Sequence, residues 1–181
     1  MRGLAGNLSD LPVASSQYDI LLSSETLVSD MHHVSELLVP GFGSPVLLCR
    51  GKTPRARGMA AYVRYGYRVF RQPKFECGSC EILIFIVCHV RHDLYVFSLY
   101  RNPDMDDRIY DCLLASMAAV QAEDVRASFL FVGDLNNHHQ EYLGSTTRTV
   151  VKLKPLTSQP FPVAISLLSA EPMHVVEHLT S

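Results

Sequence analysis

The sequence predicts an α/β layered domain with a substantially antiparallel sheet. Three observations carry that reading. Short apolar runs separated by glycine, proline and charge fill the first two thirds of the chain. The apolar period turns helical in two places, briefly after residue 29 and at length between residues 103 and 123. A length of 181 residues with 48% hydrophobic content suits one domain with a sizeable core, and hardly two.

In chain order, "YDILLSS" (18–24) reads as a buried strand that stops at Glu25. "SDMHHVSELLVPGFG" reads as a short helix capped by Ser29 or Asp30, with Val34, Leu37 and Leu38 toward the core and Pro40-Gly41 as its end. "SPVLLCRG", "GMAAYVRYG", "CEILIFIVCHV" and "LYVFSLYR" follow as strands. Ile109, Leu113, Met117 and Val120 then recur at helical spacing, behind Asp104, Asp106 and Asp107, which favour a helix N-terminus. A strand over 128–133 runs straight into "GDLNNHHQEYLGS". No glycine occurs beyond Gly144, and four of the ten prolines crowd between residues 155 and 172. Residues 148–181 are therefore expected to form a divergent tail outside the architecture of residues 1–147.

Composition narrows the function. The longest apolar run, 82–88, is far shorter than the roughly 20 residues of a spanning helix. The start, "MRGLAGNLSDL", lacks the apolar core of a secretory signal, so an intracellular, reducing compartment is expected, nucleus or cytoplasm being open. Five cysteines fit that view. Cys77 and Cys80 form one CxxC, but a zinc site needs about four ligands and no second pair follows, so they read as loop and strand thiols.

The net charge of −2 hides a local asymmetry. Residues 50–74 hold eight of the sixteen basic residues and no acid, with Tyr62, Tyr65, Tyr67 and Phe70 interleaved. Cations that neutralise phosphates beside aromatics that stack suit a nucleic-acid surface. A solvated strand pair with alternating faces would look the same. On the first reading Arg50, Lys52, Arg55, Arg57 and Arg64 grip the backbone, together with Arg101.

Three polar clusters stand at strand ends: Ser24-Glu25-Thr26, Tyr100-Arg101-Asn102-Pro103 and Gly133-Asp134-Leu135-Asn136. One pocket can collect all three. Two carboxylates there would hold a hard cation such as Mg²⁺, and an Asp beside an amide can orient and deprotonate a water. His138 and His139 are adjacent and cannot both face one metal from a regular element. They read as loop residues, with His138 the one to touch substrate.

The segments "LLSSETLV", "GMAAYVRYG", "SLYRNPD" and "FLFVGDLNNHHQEYLGS", in this order and spacing, resemble the endonuclease/exonuclease/phosphatase superfamily. The GDxNxHH form most resembles the endonuclease domain of LINE-type, non-LTR retrotransposons. The resemblance covers about residues 2 to 147. It implies a four-layered α/β sandwich of two mainly antiparallel sheets, incomplete here, with the site at one edge. It also implies metal-dependent phosphodiester hydrolysis with Mg²⁺ or Mn²⁺ as cofactor and DNA as partner. Carried over, Glu25 resembles the metal-binding glutamate and Tyr100 the phenol that stabilises the pentavalent phosphate. Asp134 resembles the acid that activates the attacking water, and Asn136 the amide beside it.

The sequence departs from that pattern at both ends. The first-strand asparagine, which the family carries just before a segment like Arg2-Gly3-Leu4, has no counterpart, and Asn7 does not replace it. No Asp followed by Ser-Asp-His occurs after Ser145, and His174 and His178 lack the preceding acid. A positioned acid or base contributes roughly 10²- to 10⁴-fold, and a preorganised donor a further ~10²- to 10³-fold. Two expectations result: a weakened DNA-nicking endonuclease using Glu25, Asp134 and Asn136, or a non-catalytic remnant that at most binds nucleic acid through residues 50–74.

Overall fold

The structure is a computed structural model that describes residues 18–28, 32–49, 58–88, 93–101 and 108–135, and the backbone of strands at 148–151, 164–165 and 174–176. The strands are β1 (Ile20–Ser24), β2 (Val46–Leu48), β3 (Met59–Val63), β4 (Arg68–Arg71), β5 (Glu81–Cys88), β6 (Leu94–Tyr100), β7 (Ser128–Asp134), β8 (Arg148–Val151), β9 (Ala164–Ile165) and β10 (His174–Val176). Among the described residues, one long helix, α1 (Arg108–Glu123), lies between β6 and β7. Two five-stranded sheets result, in the orders β10-β8-β1-β3-β2 and β4-β5-β6-β7-β9. Pairing is antiparallel except at β6–β7, β7–β9 and β8–β10.

The predicted layers are present. The sheets face each other across a core of Ile20, Leu22, Met59, Ala61 and Val63 on one side and Leu83, Phe85, Val96, Leu130 and Val132 on the other. Each large apolar side chain buried there contributes about 1.5–3 kcal/mol. The outer face of the second sheet carries Ile82, Ile84, Phe97, Phe129 and Phe131, against which Ile109 and Val120 of α1 are buried and Leu113 and Met117 half-buried. Burial on both faces is why β5 reads as one apolar run rather than an alternating one. The outer face of the first sheet, with Leu21, Ala60 and Tyr62, is covered by Leu37, Val39 and Phe42.

One expectation needs correction. The helix expected after Ser29 and Asp30, themselves outside the described residues, is a single 3-10 turn, Val34–Leu37. Leu37 is buried, but Val34 and Leu38 are 47% and 50% exposed. Val39 precedes Pro40 and is steered to extended backbone, and one turn cannot offset helix nucleation. Arg68–Arg71, to which the sequence reading assigns no strand of its own, forms β4 in the other sheet from its sequence neighbour β3. Among the described residues of 148–181, β8 pairs with β1, β10 with β8, and β9 with β7.

The connection β6–α1–β7 does most to position the polar strand ends. It is a crossover between parallel strands, which a hairpin cannot make. It sets the C-terminal residues of β6 and β7 side by side, Tyr100 opposite Asp134. Open α/β sheets bind ligands at such carboxyl ends.

Candidate functional site

The register across the second sheet builds the site. Tyr100 is paired with Glu81 on one side and Asp134 on the other, so three polar residues form one row across β5, β6 and β7. Strand alternation sends the row inward, since Leu83, Val96, Tyr100, Leu130 and Val132 all lie in the core between the sheets. Tyr100 is 2% exposed and Glu81 8%, while Asp134 is half-buried. Past the row the backbone stays tied, with Arg101 N–H donating to the Asp134 carbonyl at 2.9 Å. The Arg101 guanidinium reaches the Leu135 carbonyl at 3.5 Å.

Gly133 makes this junction possible. A Cβ there would fall 1.9 Å from the Leu99 carbonyl oxygen, inside any contact a side chain can have. The glycine before Asp134 is thus a packing requirement that lets β7 press onto β6.

The first sheet contributes Glu25. The chain leaves β1 through two non-glycine residues in the left-handed region, Glu25 at φ 52 and Leu27 at φ 54. Each such residue costs on the order of 1–2 kcal/mol. Buried Thr26 holds the turn, its N–H donating to the Gly58 carbonyl at 3.3 Å and its Oγ1 accepting from Val28 N–H at 3.3 Å. The strained turn aims Glu25 across the gap between the sheets, where its Oε1 accepts a short hydrogen bond from the Tyr100 hydroxyl.

Glu25, Tyr100 and Asp134 are therefore brought together, and Arg101 stands beside them. Glu81 was not anticipated. Its signal was an acid heading an otherwise unbroken apolar strand, where burial of a carboxylate is expensive unless a cation or donor faces it. The Glu25 carboxylate and the Tyr100 phenol meet here, with Asp134 on the next strand, and all three offer oxygen. Hard oxygen donors of this kind fit Mg²⁺ or Mn²⁺ and do not suit soft metals.

Arg64 is not brought to this end. It follows β3, pairs with Asp19 at 3.2 Å, donates to the Tyr18 carbonyl and covers the Phe42 ring at 5.5 Å. With ~3.3 Å per strand residue, Asp19 lies roughly 20 Å along β1 from Glu25. Of the interleaved aromatics, Tyr65 and Phe70 are exposed, but Tyr62 is buried in the outer core of the first sheet. Its hydroxyl finds no hydrogen-bond partner among the described residues, and burial pushes the phenol up to about 12. Arg71 and Lys74 make ion pairs with Glu76 and Glu123. Asn136, His138, Arg50, Lys52, Arg55 and Arg57 lie outside the described residues.

No protein-family model matches the chain, and no curated protein matches it in sequence. Among solved structures it is similar to the endonuclease domain of TRAS1, a telomere-specific non-LTR retrotransposon, at a TM-score of 0.51 and 16% identity. The similarity covers 76% of this chain and 57% of that one, so the chain spans a little over half of the neighbour's length. The two facing, mainly antiparallel sheets thus share, over the matched part, the fold of that endonuclease domain.

Proposed function

We propose that the chain is a metal-dependent phosphodiesterase of the DNA-nicking, retrotransposon type. The observation that supports this best is the convergence of Glu25, Tyr100 and Asp134, from both sheets, at the carboxyl ends of β1, β6 and β7. Glu25, hydrogen-bonded to Tyr100, whose register partner on β7 is Asp134, would hold Mg²⁺ or Mn²⁺. The ion, when bound, supplies Lewis-acid polarisation of a phosphoryl oxygen and lowers the pKa of a bound water.

The remaining work falls to the chain's own groups. Tyr100 fixes the Glu25 carboxylate through its hydroxyl, and the same phenol can turn to donate to a phosphate oxygen as charge builds there. Asp134 accepts the proton of the attacking water, with Asn136 as the amide that orients it. Arg101 balances phosphate charge at the rim, and the basic residues of 50–57 with His138 extend the grip along the DNA backbone.

Supercoiled plasmid incubated with the purified chain and Mg²⁺ tests the reading directly. Nicking that stops with EDTA and falls by roughly 10²- to 10⁴-fold in Asp134→Ala is expected. Equal, background-level nicking by folded wild type and folded Asp134→Ala would leave only a nucleic-acid-binding remnant.

A further inference from the structure

The sequence offers one CxxC and no second pair. The fold brings a third sulfur to it. Cys112, on α1, lies with Cys77 and Cys80 so that their three sulfur atoms all fall within 4.8 Å of one another. Cys77 and Cys112 are joined as a disulfide with Cα atoms 5.8 Å apart, and the buried Cys80 thiol stands 3.3 Å from Cys112 Sγ. Ser79 Oγ reaches all three sulfurs, at 3.1 Å from Cys77, 3.7 Å from Cys112 and 3.8 Å from Cys80.

The scaffold under this trio is well tied. A tight turn closes the CxxC, with Cys80 N–H donating to the Cys77 carbonyl at 3.3 Å. Four residues after Cys112, on the same face of α1, the buried Ser116 hydroxyl donates to the Phe75 carbonyl at 2.6 Å. That bond pins the helix to the segment that leads into Cys77. The three cysteines come from a turn, a strand start and a helix, so no short local peptide would gather them.

From this geometry we propose that, with the disulfide reduced, Cys77, Cys80 and Cys112 bind one zinc ion as a three-thiolate clip. Zn–S bonds of ~2.3 Å at tetrahedral angles put sulfurs about 3.8 Å apart, within the spread seen here once the Cys77–Cys112 bond is opened. Opening it takes two equivalents of a small thiol, which leave as their own disulfide while Cys77 and Cys112 take up two protons. Zinc then displaces the three thiol protons to solvent. A water beside the Ser79 hydroxyl fills the fourth position, as is usual where a protein supplies three ligands.

A soft, sulfur-only site of this kind is chemically distinct from the oxygen donors around Tyr100. It touches them through the chain, because Cys80 immediately precedes Glu81. The clip would fix the start of β5 to α1, and with it the Glu81 end of the polar row. A disulfide alone ties only two of the three sulfurs and leaves the strand start out.

The test uses the full chain, stripped of metal and kept reduced with a phosphine. Zinc is titrated against a chromophoric chelator, and Co²⁺ is added separately to read the thiolate-to-cobalt charge-transfer band. One ion per chain is expected, with an intense band for each cobalt bound. Cys80→Ser and Cys112→Ser should each lose more than the roughly 10- to 100-fold that removal of an outer-shell partner costs. Cys88→Ser, outside the trio, should bind as the parent does. Circular dichroism checks each variant, and Cys112→Ser, at a half-buried helix position, keeps the test decisive should Cys80→Ser unfold. Absence of zinc binding by the reduced, folded chain would overturn the proposal, as would unchanged affinity in Cys112→Ser.

Discussion

The two ends of β1 carry one acid each, and the structure treats them in opposite ways. At the start, Asp19 meets Arg64, whose guanidinium also donates to the Tyr18 carbonyl and lies on the Phe42 ring. Opposite charges, a backbone acceptor and an aromatic face close that end. At the other, Glu25 leaves a left-handed turn to meet a neutral phenol on the facing sheet, in a row that already holds Glu81 and Asp134. One end resolves its charge internally. The other sets a carboxylate against a phenol, with Asp134 on the next strand, oxygen donors of the kind a hard cation takes.

Breaking the open end should have the larger consequences. The loss of nicking expected in Asp134→Ala corresponds to about 2.7–5.4 kcal/mol of transition-state stabilisation. Gly133→Ala should come next. Its methyl cannot fit 1.9 Å from the Leu99 carbonyl, so β6 and β7 must part. Overpacking of this kind costs about 1–3 kcal/mol or more, read as a drop in the urea midpoint, and nicking should fall because Tyr100 and Asp134 separate. An unchanged midpoint would show that the junction is looser than the register implies.

Tyr62 sharpens the contrast, as a polar group that neither end uses. Tyr62→Phe removes a buried hydroxyl without a partner among the described residues and should raise stability by about 1 kcal/mol at neutral pH. The sign with pH comes from its raised value. The folded chain holds this proton more tightly than the unfolded chain, so the contribution is complete below pH ~10 and is lost as pH climbs toward about 12. Denaturation across that window should be shallower in Tyr62→Phe. Equal slopes would mean that the phenol reaches solvent.

The closed end should respond least. Both side chains of the Asp19–Arg64 pair keep some exposure, 19% and 31%, and solvent screening limits such pairs to about 0.2–1 kcal/mol. Arg64→Gln should lower the urea midpoint slightly and leave nicking at the wild-type rate. A large loss of nicking would place Arg64 on the DNA path after all.

How far the sequence was legible depends on the range of each signal. Strand and helix periods are local, so β1, β5, β6 and β7 could be read within a residue or two, and the end of α1 likewise. Glu25, Tyr100 and Asp134 were legible because each ends an apolar run. Glu81 was not, since it begins one, and only the antiparallel return of β5 carries it to the same edge. Cys112 was hidden for a similar reason: 35 residues separate it from Cys77, and only packing of α1 joins them. The basic stretch misled about Tyr62, because composition cannot say which face of β3 a ring takes. The tail's strands escaped notice because pairing, rather than any turn chemistry of their own, defines them.

We propose that the end at Tyr100 holds a hard cation and the end at Arg64 does not. Mn²⁺ binding, followed by the loss of the free-ion electron paramagnetic resonance signal, tests it most directly. Saturable binding is expected of wild type and Arg64→Gln, with at least roughly tenfold weaker binding by folded Glu25→Gln and Asp134→Asn. Absence of saturable binding by the folded wild type, or equal affinity in all four proteins, would contradict it.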